Sequence, residues 1–396
     1  MQNIEYHKLK GDLMKICFLC EDFGIGGIER VTSVVGSELS KYNEISYFSL
    51  LGTSNYYDVN PIYYSRMKKS NKSKFLNYKN YIKKLIQLSK NDFSPAWFYL
   101  EEVKLFTNWI DENNIDIVIV SGPLLTAMIP YLKKVTNVKF VAWMHNSYEI
   151  YMDNYSNGFK RYFIEGMRES DQLIVLTSSD CEKYSYFNGA TSMIYNPLTI
   201  KNSVISDLSA CNIAFTARIV FEHKGIDYLL EVAEKIPEGW TISIAGNGPE
   251  ENKLKDIIKE KKLEKKVILL GGLKGRDLVE HYYNASIYLM TSRWEGMGLV
   301  LAEAMSFGLP IVAFAQTGSK EVLDNGEYGV LVENGKVNDL VKQLEILINS
   351  YDNRMYYQKK SLERVEAFDL SNIAEKWCTI LKKIYNEELR NLGDES

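Results

Sequence analysis

Glu295-Gly-Met-Gly-Leu-Val-Leu-Ala-Glu303 sets two glutamates on either side of a seven-residue, glycine-containing stretch. The run before it, Ala285-Ser-Ile-Tyr-Leu-Met-Thr-Ser292, is apolar and has the length of a strand buried on both faces. After it, Gly308-Leu-Pro310 stops a short helix, because glycine caps a helix end and proline cannot continue it. Strand, glycine turn, helix and stop form one unit of a parallel α/β sheet. On a single continuous helix the two carboxylates would stand about 12 Å apart along the axis, too far to share one small group. With Glu295 in the turn and Glu303 on the second turn of the helix, the pair brackets the helix N-terminus instead. There the amides of Met297, Gly298 and Leu299 lack intrahelical acceptors, and the helix dipole favours an anion. A diphosphate held at that point leaves one carboxylate toward each of its ends.

The strand-helix rhythm extends across the whole chain. At 396 residues the sequence exceeds the size at which one core keeps growing, so two domains are expected. In the first half, strands are expected at 14–20, 44–51, 116–120, 139–144, 172–177 and 192–195, with helices at 28–39 and 97–111. The second half repeats the pattern with strands at 212–216, 241–245, 266–270, 286–290, 310–314 and 329–332. Helices at 226–235, 249–262 and 276–284 fill the gaps. Both halves read as doubly wound α/β units, and a polar, proline-containing stretch from Asn196 to Ser209 separates them. The expected division is 13–196, 197–370 and an amphipathic tail helix within 371–396.

Composition excludes several classes. Apolar residues at 46% and charged residues at 25% are ordinary for a globular protein, and no apolar run reaches 18 residues. The start, MQNIEYHKLKGDLMK, lacks the apolar core of a signal peptide. Five scattered cysteines fit a reducing, cytoplasmic setting, and Cys17 and Cys20 point to opposite faces of one strand rather than to a metal. A net charge of −4 argues against nucleic acid as a partner. From Val59 to Asn91, however, there is no acidic residue, while Lys68, Lys69, Lys72 and Lys74 lie among nine cations interleaved with tyrosines and aliphatics. Such a segment suits an anionic membrane surface, at about 1 kcal/mol per cation close to the surface. A solvated surface loop is the plainer reading.

The motif EGMGLVLAE followed by AMSFGLPIVA resembles the E-x7-E signature of family 4 glycosyltransferases, which have the GT-B fold. That resemblance implies two facing Rossmann-like domains and a C-terminal helix crossing back to the first. It also implies a retaining transfer of a hexose from a nucleotide diphosphate sugar, with UDP as the expected nucleotide. Arg218 and Lys224, in ARIVFEHKG, match the family's arginine and Lys-Gly pair on the donor diphosphate. Five residues separate them here, where four is the commoner count. The resemblance further implies that Glu303 holds the ribose, that Glu295 and Gly296 through Leu299 meet the sugar and phosphates, and that Gly246 and Leu273 line the nucleotide. In the first domain it points to Gly26 and Gly27 against the phosphates and to His145 against the transferred sugar. His223 is placed to modulate the loop carrying Lys224, whereas His7 and His281 carry no such reading.

No Asp-x-Asp occurs in the chain, so Arg218, Lys224 and helix amides are expected to supply the counter-charge without a metal or other cofactor. The implied acceptor is a glycan or lipid-linked glycan of bacterial surface polysaccharide synthesis, met at the inner face of the cell membrane. A teichoic-acid or glycolipid glucosyltransferase is a close variant. A sugar-nucleotide epimerase or hydrolase, or a non-catalytic partner on the same fold, are the rival classes.

Overall fold

The computed structural model describes residues 13–65, 92–200 and 204–394. Thirteen strands appear among them: β1 Lys15–Cys20, β2 Glu44–Ser49, β3 Ile62–Tyr64, β4 Ile117–Ser121, β5 Lys139–Trp143, β6 Gln172–Val175, β7 Thr191–Met193, β8 Asn212–Thr216, β9 Thr241–Ala245, β10 Val267–Gly271, β11 Ile287–Met290, β12 Ile311–Ala315 and β13 Val330–Glu333. Every pairing between them is parallel. The first sheet has the order β3-β2-β1-β4-β5-β6-β7 and the second β10-β9-β8-β11-β12-β13. Parallel strands joined by helices are covered on both faces, which is why these segments read as continuous apolar runs. Ile119, Val141, Ile244 and Leu289 illustrate the point, all essentially inaccessible.

The chain divides into two compact units. One comprises residues 1–175, 181–194 and 374–396; the other comprises 176–180 and 195–373. The expected single linker is therefore interleaved, because the start of the helix Ser178–Ser185 belongs with the second unit. Ser178 donates from its backbone N–H and its Oγ to Glu321 at 2.8 and 2.6 Å, a long-range tie that local sequence does not announce. The last helix, Leu370–Asp394, joins the first unit from Ala374 onward. There Trp377 packs edge-on against Trp143, with ring centroids 4.8 Å apart.

Each sheet reverses its winding once, between β1 and β4 in the first unit and between β8 and β11 in the second. In open α/β sheets that reversal opens a crevice at the carboxyl ends of the two strands, where ligands bind. The residues following β8 and β11 thus become neighbours, although about seventy positions separate them in sequence.

Part of the basic segment lies among the described residues. Ile62–Tyr64 forms the edge strand β3, an element hidden within a stretch that reads as a uniform basic surface. Lys68, Lys69, Lys72 and Lys74 lie outside the described residues. Among those described, no helix is long and apolar enough to cross a membrane.

Candidate active site

The second unit carries a cluster of charged side chains at its switch point. After β8 the chain makes a one-turn helix, Phe221–Lys224, that ends in Gly225 with φ +60°. A side chain at Gly225 would be strained by that φ, and its Cβ would lie 2.1 Å from the Thr291 carbonyl oxygen. Glycine therefore lets the turn sit directly on the end of β11. Thr291 Oγ1 donates to the carbonyls of Lys224 and Gly225 at 2.9 and 3.0 Å. Arg293 closes the other side: its backbone N–H donates to the His223 carbonyl at 2.9 Å, and its guanidinium grips Asp227 through two bonds of 2.9 and 2.6 Å. A planar fork matched to a carboxylate is the strongest such tie available.

This scaffold presents Lys224 to Glu295. The Lys224 Nζ lies 2.5 Å from Glu295 Oε1, and Ser292 Oγ donates to the same oxygen at 2.7 Å. Both charged side chains are largely buried, 15% and 12% exposed. Burial alone would raise the Glu295 carboxyl. The Lys224 ammonium, His223 and the hydrogen bonds from Lys224 and Ser292 outweigh it and hold the group below its usual range. Glu295 is therefore an ionised acceptor, suited to binding hydroxyls rather than donating a proton.

Beyond Glu295, Gly296, Met297 and Gly298 are buried and lead into the helix Leu299–Ser306, with Gly298 at φ +77° as its N-cap. Leu301 already donates to the Gly298 carbonyl, whereas the amides of Leu299 and Val300 have no acceptor within the helix, and the dipole there is positive. Arg218 is exposed on the loop after β8 and makes no ion pair among the described residues. Gly246 ends β9 with φ +149°; a Cβ there would meet the Ala217 carbonyl oxygen at 1.8 Å, so only glycine allows the two strand-end loops to touch. Leu273, half-buried, sits on the next loop along this sheet edge, after β10.

Glu303 occupies the second helical turn as expected, but it is not an open carboxylate. It is 1% exposed, with Oε1 accepting from Thr199 at 3.0 Å and Oε2 from Tyr282 at 2.9 Å. His281 is a packing histidine: its Nε2 lies 3.1 Å from Thr216 Oγ1, and burial lowers its pKa to about 4.

In the first unit, Gly26 caps the helix Gly27–Leu39 with extended backbone. Its carbonyl accepts from the Tyr57 hydroxyl at 3.0 Å. His145 follows β5, its ring 4.3 Å from that of Trp143. The residue is partly exposed, yet both ring nitrogens are enclosed and have no hydrogen-bond partner among the described residues. Burial pushes its pKa down to about 3, so the ring is neutral at ordinary pH. A buried polar group without a partner costs about 1–3 kcal/mol.

The structure thus brings Lys224 and Glu295 into direct contact near the 296–299 turn, and it adds Ser292, Arg293, Asp227 and Trp294, which sequence reading passed over. Only the placing of His223 beside Lys224 hinted at its part. Among the described residues no group of acidic, histidine and cysteine side chains is arranged to hold a metal.

Two doubly wound parallel sheets, of seven and six strands, are the GT-B class of architecture. Residues 208–364 match the family model for glycosyl transferases group 1. An uncharacterized glycosyltransferase of Haemophilus influenzae is 30% identical over 381 residues, covering 93% of this chain and 100% of that protein. The chain belongs to the group 1 glycosyltransferases. The amylovoran biosynthesis glycosyltransferase AmsD of Erwinia amylovora is 26% identical over 373 residues, covering 90% of this chain and 96% of its own. Among solved structures, Anabaena HepE in complex with UDP-glucose superposes with a TM-score of 0.75 at 16% identity, covering 93% of this chain and 100% of that one.

Proposed function

We propose that this glycosyltransferase moves a hexose, with retention of anomeric configuration, from a UDP-sugar to a hydroxyl of a glycan or lipid-linked glycan during bacterial surface polysaccharide synthesis. The observation that carries this reading is the Lys224–Glu295–Ser292 cluster beside an amide-presenting helix start at the switch point of β8 and β11. A cation and free amides suit a diphosphate, and an ionised glutamate next to them suits the hydroxyls of the attached sugar.

In the reaction, the bond from the anomeric carbon to the diphosphate oxygen breaks and a bond to the acceptor oxygen forms. The acceptor proton passes to the departing phosphate. Lys224, Arg218 and the amides near Gly298 stabilise the charge that develops on that phosphate, so no metal is needed. Glu295 orients the sugar hydroxyls. The neutral His145 offers its unpaired ring nitrogens to the transferred sugar, and the Gly26–Gly27 turn is assigned to the phosphates. Glu303, held by Thr199 and Tyr282, is assigned to the ribose hydroxyls. Gly246 and Leu273 line the nucleotide.

UDP-glucose in the HepE complex and the polysaccharide named for AmsD support the choice of donor and setting. A teichoic-acid or glycolipid acceptor is a variant of the same reading. Attachment to the inner face of the membrane is assigned to the basic segment. Neutralising Lys68, Lys69, Lys72 and Lys74 should weaken sedimentation with phosphatidylglycerol vesicles, and unchanged sedimentation refutes it.

A thermal-shift screen against UDP, GDP and ADP and their sugars tests the donor, since a ligand of the folded state raises the melting temperature by mass action. UDP is expected to give the largest shift. Proton NMR of the product then reads the anomeric configuration, and an inverted linkage removes the retaining assignment. Epimer or free sugar formed from donor alone would instead favour an epimerase or hydrolase.

A further inference from the structure

The Lys224–Glu295 pair has a third member. His223 stands one residue before Lys224, and its ring lies flat on that of Trp294, with centroids 4.9 Å apart and planes 8° apart. His223 Nε2 is 2.9 Å from the Trp294 carbonyl oxygen. A carbonyl only accepts, so Nε2 carries the proton and, in the neutral ring, Nδ1 is bare. The same Nε2 lies 4.0 Å from Oε2 of Glu295, the carboxylate oxygen that Lys224 does not hold. Beside it, the enclosed indole N–H of Trp294 has no hydrogen-bond partner among the described residues.

The charged groups acting on this imidazole are Lys224 from its own turn and Glu295 from the facing loop; the Arg293 guanidinium is committed to Asp227. Burial first, then Lys224, lower the His223 pKa, while Glu295 and the Trp294 carbonyl act in the opposite direction. In the free protein, one cation balances one carboxylate and the imidazole stays neutral. A diphosphate brings about two further negative charges to Lys224, which is already matched, in surroundings where water screens little. Residual negative charge beside Lys224, the next residue along, favours the imidazolium.

We infer that His223 is a further positive group of the diphosphate site, taking up a proton at Nδ1 when a nucleoside diphosphate binds. Donor binding is then coupled to pH through a residue that also fixes the loop by stacking. The inference rests on the donor reading above and adds to it a binding residue and a proton linkage.

Calorimetric titration with UDP at pH 7.5, in buffers of different ionisation enthalpy, counts the protons exchanged. The wild-type protein should show net uptake. The terminal phosphate of UDP can only contribute release when it meets cations, so the signs differ. His223→Phe keeps the stacked ring and His223→Gln keeps a donor; both should lose the uptake. Between pH 8 and pH 6, the wild-type Kd should tighten about threefold to tenfold more than that of either variant, a one-unit pKa rise being worth tenfold. UDP binding with no uptake in the wild type, or with the same pH profile in all three proteins, overturns this inference alone. A wild-type protein that binds none of UDP, GDP and ADP overturns the donor reading and this inference with it.

Discussion

Removing Lys224 tests the core of the site quantitatively. Lys224→Met keeps most of the stem and deletes the charge, leaving Glu295 with only Ser292 and the neutral His223. Fully exposed ion pairs contribute about 0.2–1 kcal/mol, whereas breaking a fully buried one costs about 3–5 kcal/mol. At 15% and 12% side-chain exposure and a 2.5 Å separation, this pair falls between those limits. A double-mutant cycle of Lys224→Met with Glu295→Gln should give a coupling of about 2 kcal/mol. Urea unfolding is the assay. A chain of two units need not unfold in one step, so the coupling is read on the transition that the single variants move. The folded Glu295 carboxyl lies below its ordinary value, so its stabilisation is present above the unfolded carboxylate pKa of about 4.3 and is lost as pH falls through the folded value. The coupling should stay level from pH 7.5 to about 5.5 and shrink only in the acid range. A coupling below about 0.5 kcal/mol at pH 7 would refute the argument, because it would mean the pair is screened like a surface pair.

Other outcomes follow from the same geometry. His145→Ala should lower turnover by about a hundredfold or more, the scale of one lost transition-state contact, with KM changed far less. Because burial holds His145 at about 3, the wild-type rate profile should show no His145 ionisation between pH 5.5 and 8.5, and a histidine-like inflection absent from the variant would contradict its neutral role. His281, held at about 4, binds its proton less readily when folded, so it should make the wild type less stable at pH 5 than at pH 7.5. The effect is about 2 kcal/mol, and His281→Gln should flatten that stretch of the stability profile. Gly225→Ala should cost about 3 kcal/mol or more, since both the left-handed backbone and the Thr291 carbonyl oppose a Cβ. A melting temperature within 2 °C of wild type would show that the turn relaxes.

The strands were the most legible part of the fold. Segments 212–216 and 241–245 match the observed bounds, and most others fall within a residue or two. Burial on both faces leaves these runs almost purely apolar, and their glycine turns mark where they stop. The short edge strand Ile62–Tyr64 was hidden because its tyrosines are as compatible with a basic surface as with a sheet margin. The π-helical turn Tyr151–Tyr155 carries no pattern that sets it apart from an α-helix. In the site, Glu295 and Lys224 were legible by type and motif, but their contact was not. It arises because β8 and β11 are sheet neighbours, and nothing local to either segment encodes that pairing. Ser292 and Trp294 were missed for the same reason, being ordinary residues until the facing turn supplies their partners. The closing of Glu303 by Thr199 and Tyr282 likewise depends on segments far away in sequence.

Neither unit is an unbroken length of chain, and this limits how relatives can be recombined. A chimera cut after Ile194 would inherit β1 to β7 from one parent but the Trp377 side chain beneath Trp143 from the other. The graft would then meet a mismatched indole below the strand that delivers His145. Exchanging the last two dozen residues together with the first half keeps that seat intact, so the tail should travel with the amino-terminal portion in any hybrid.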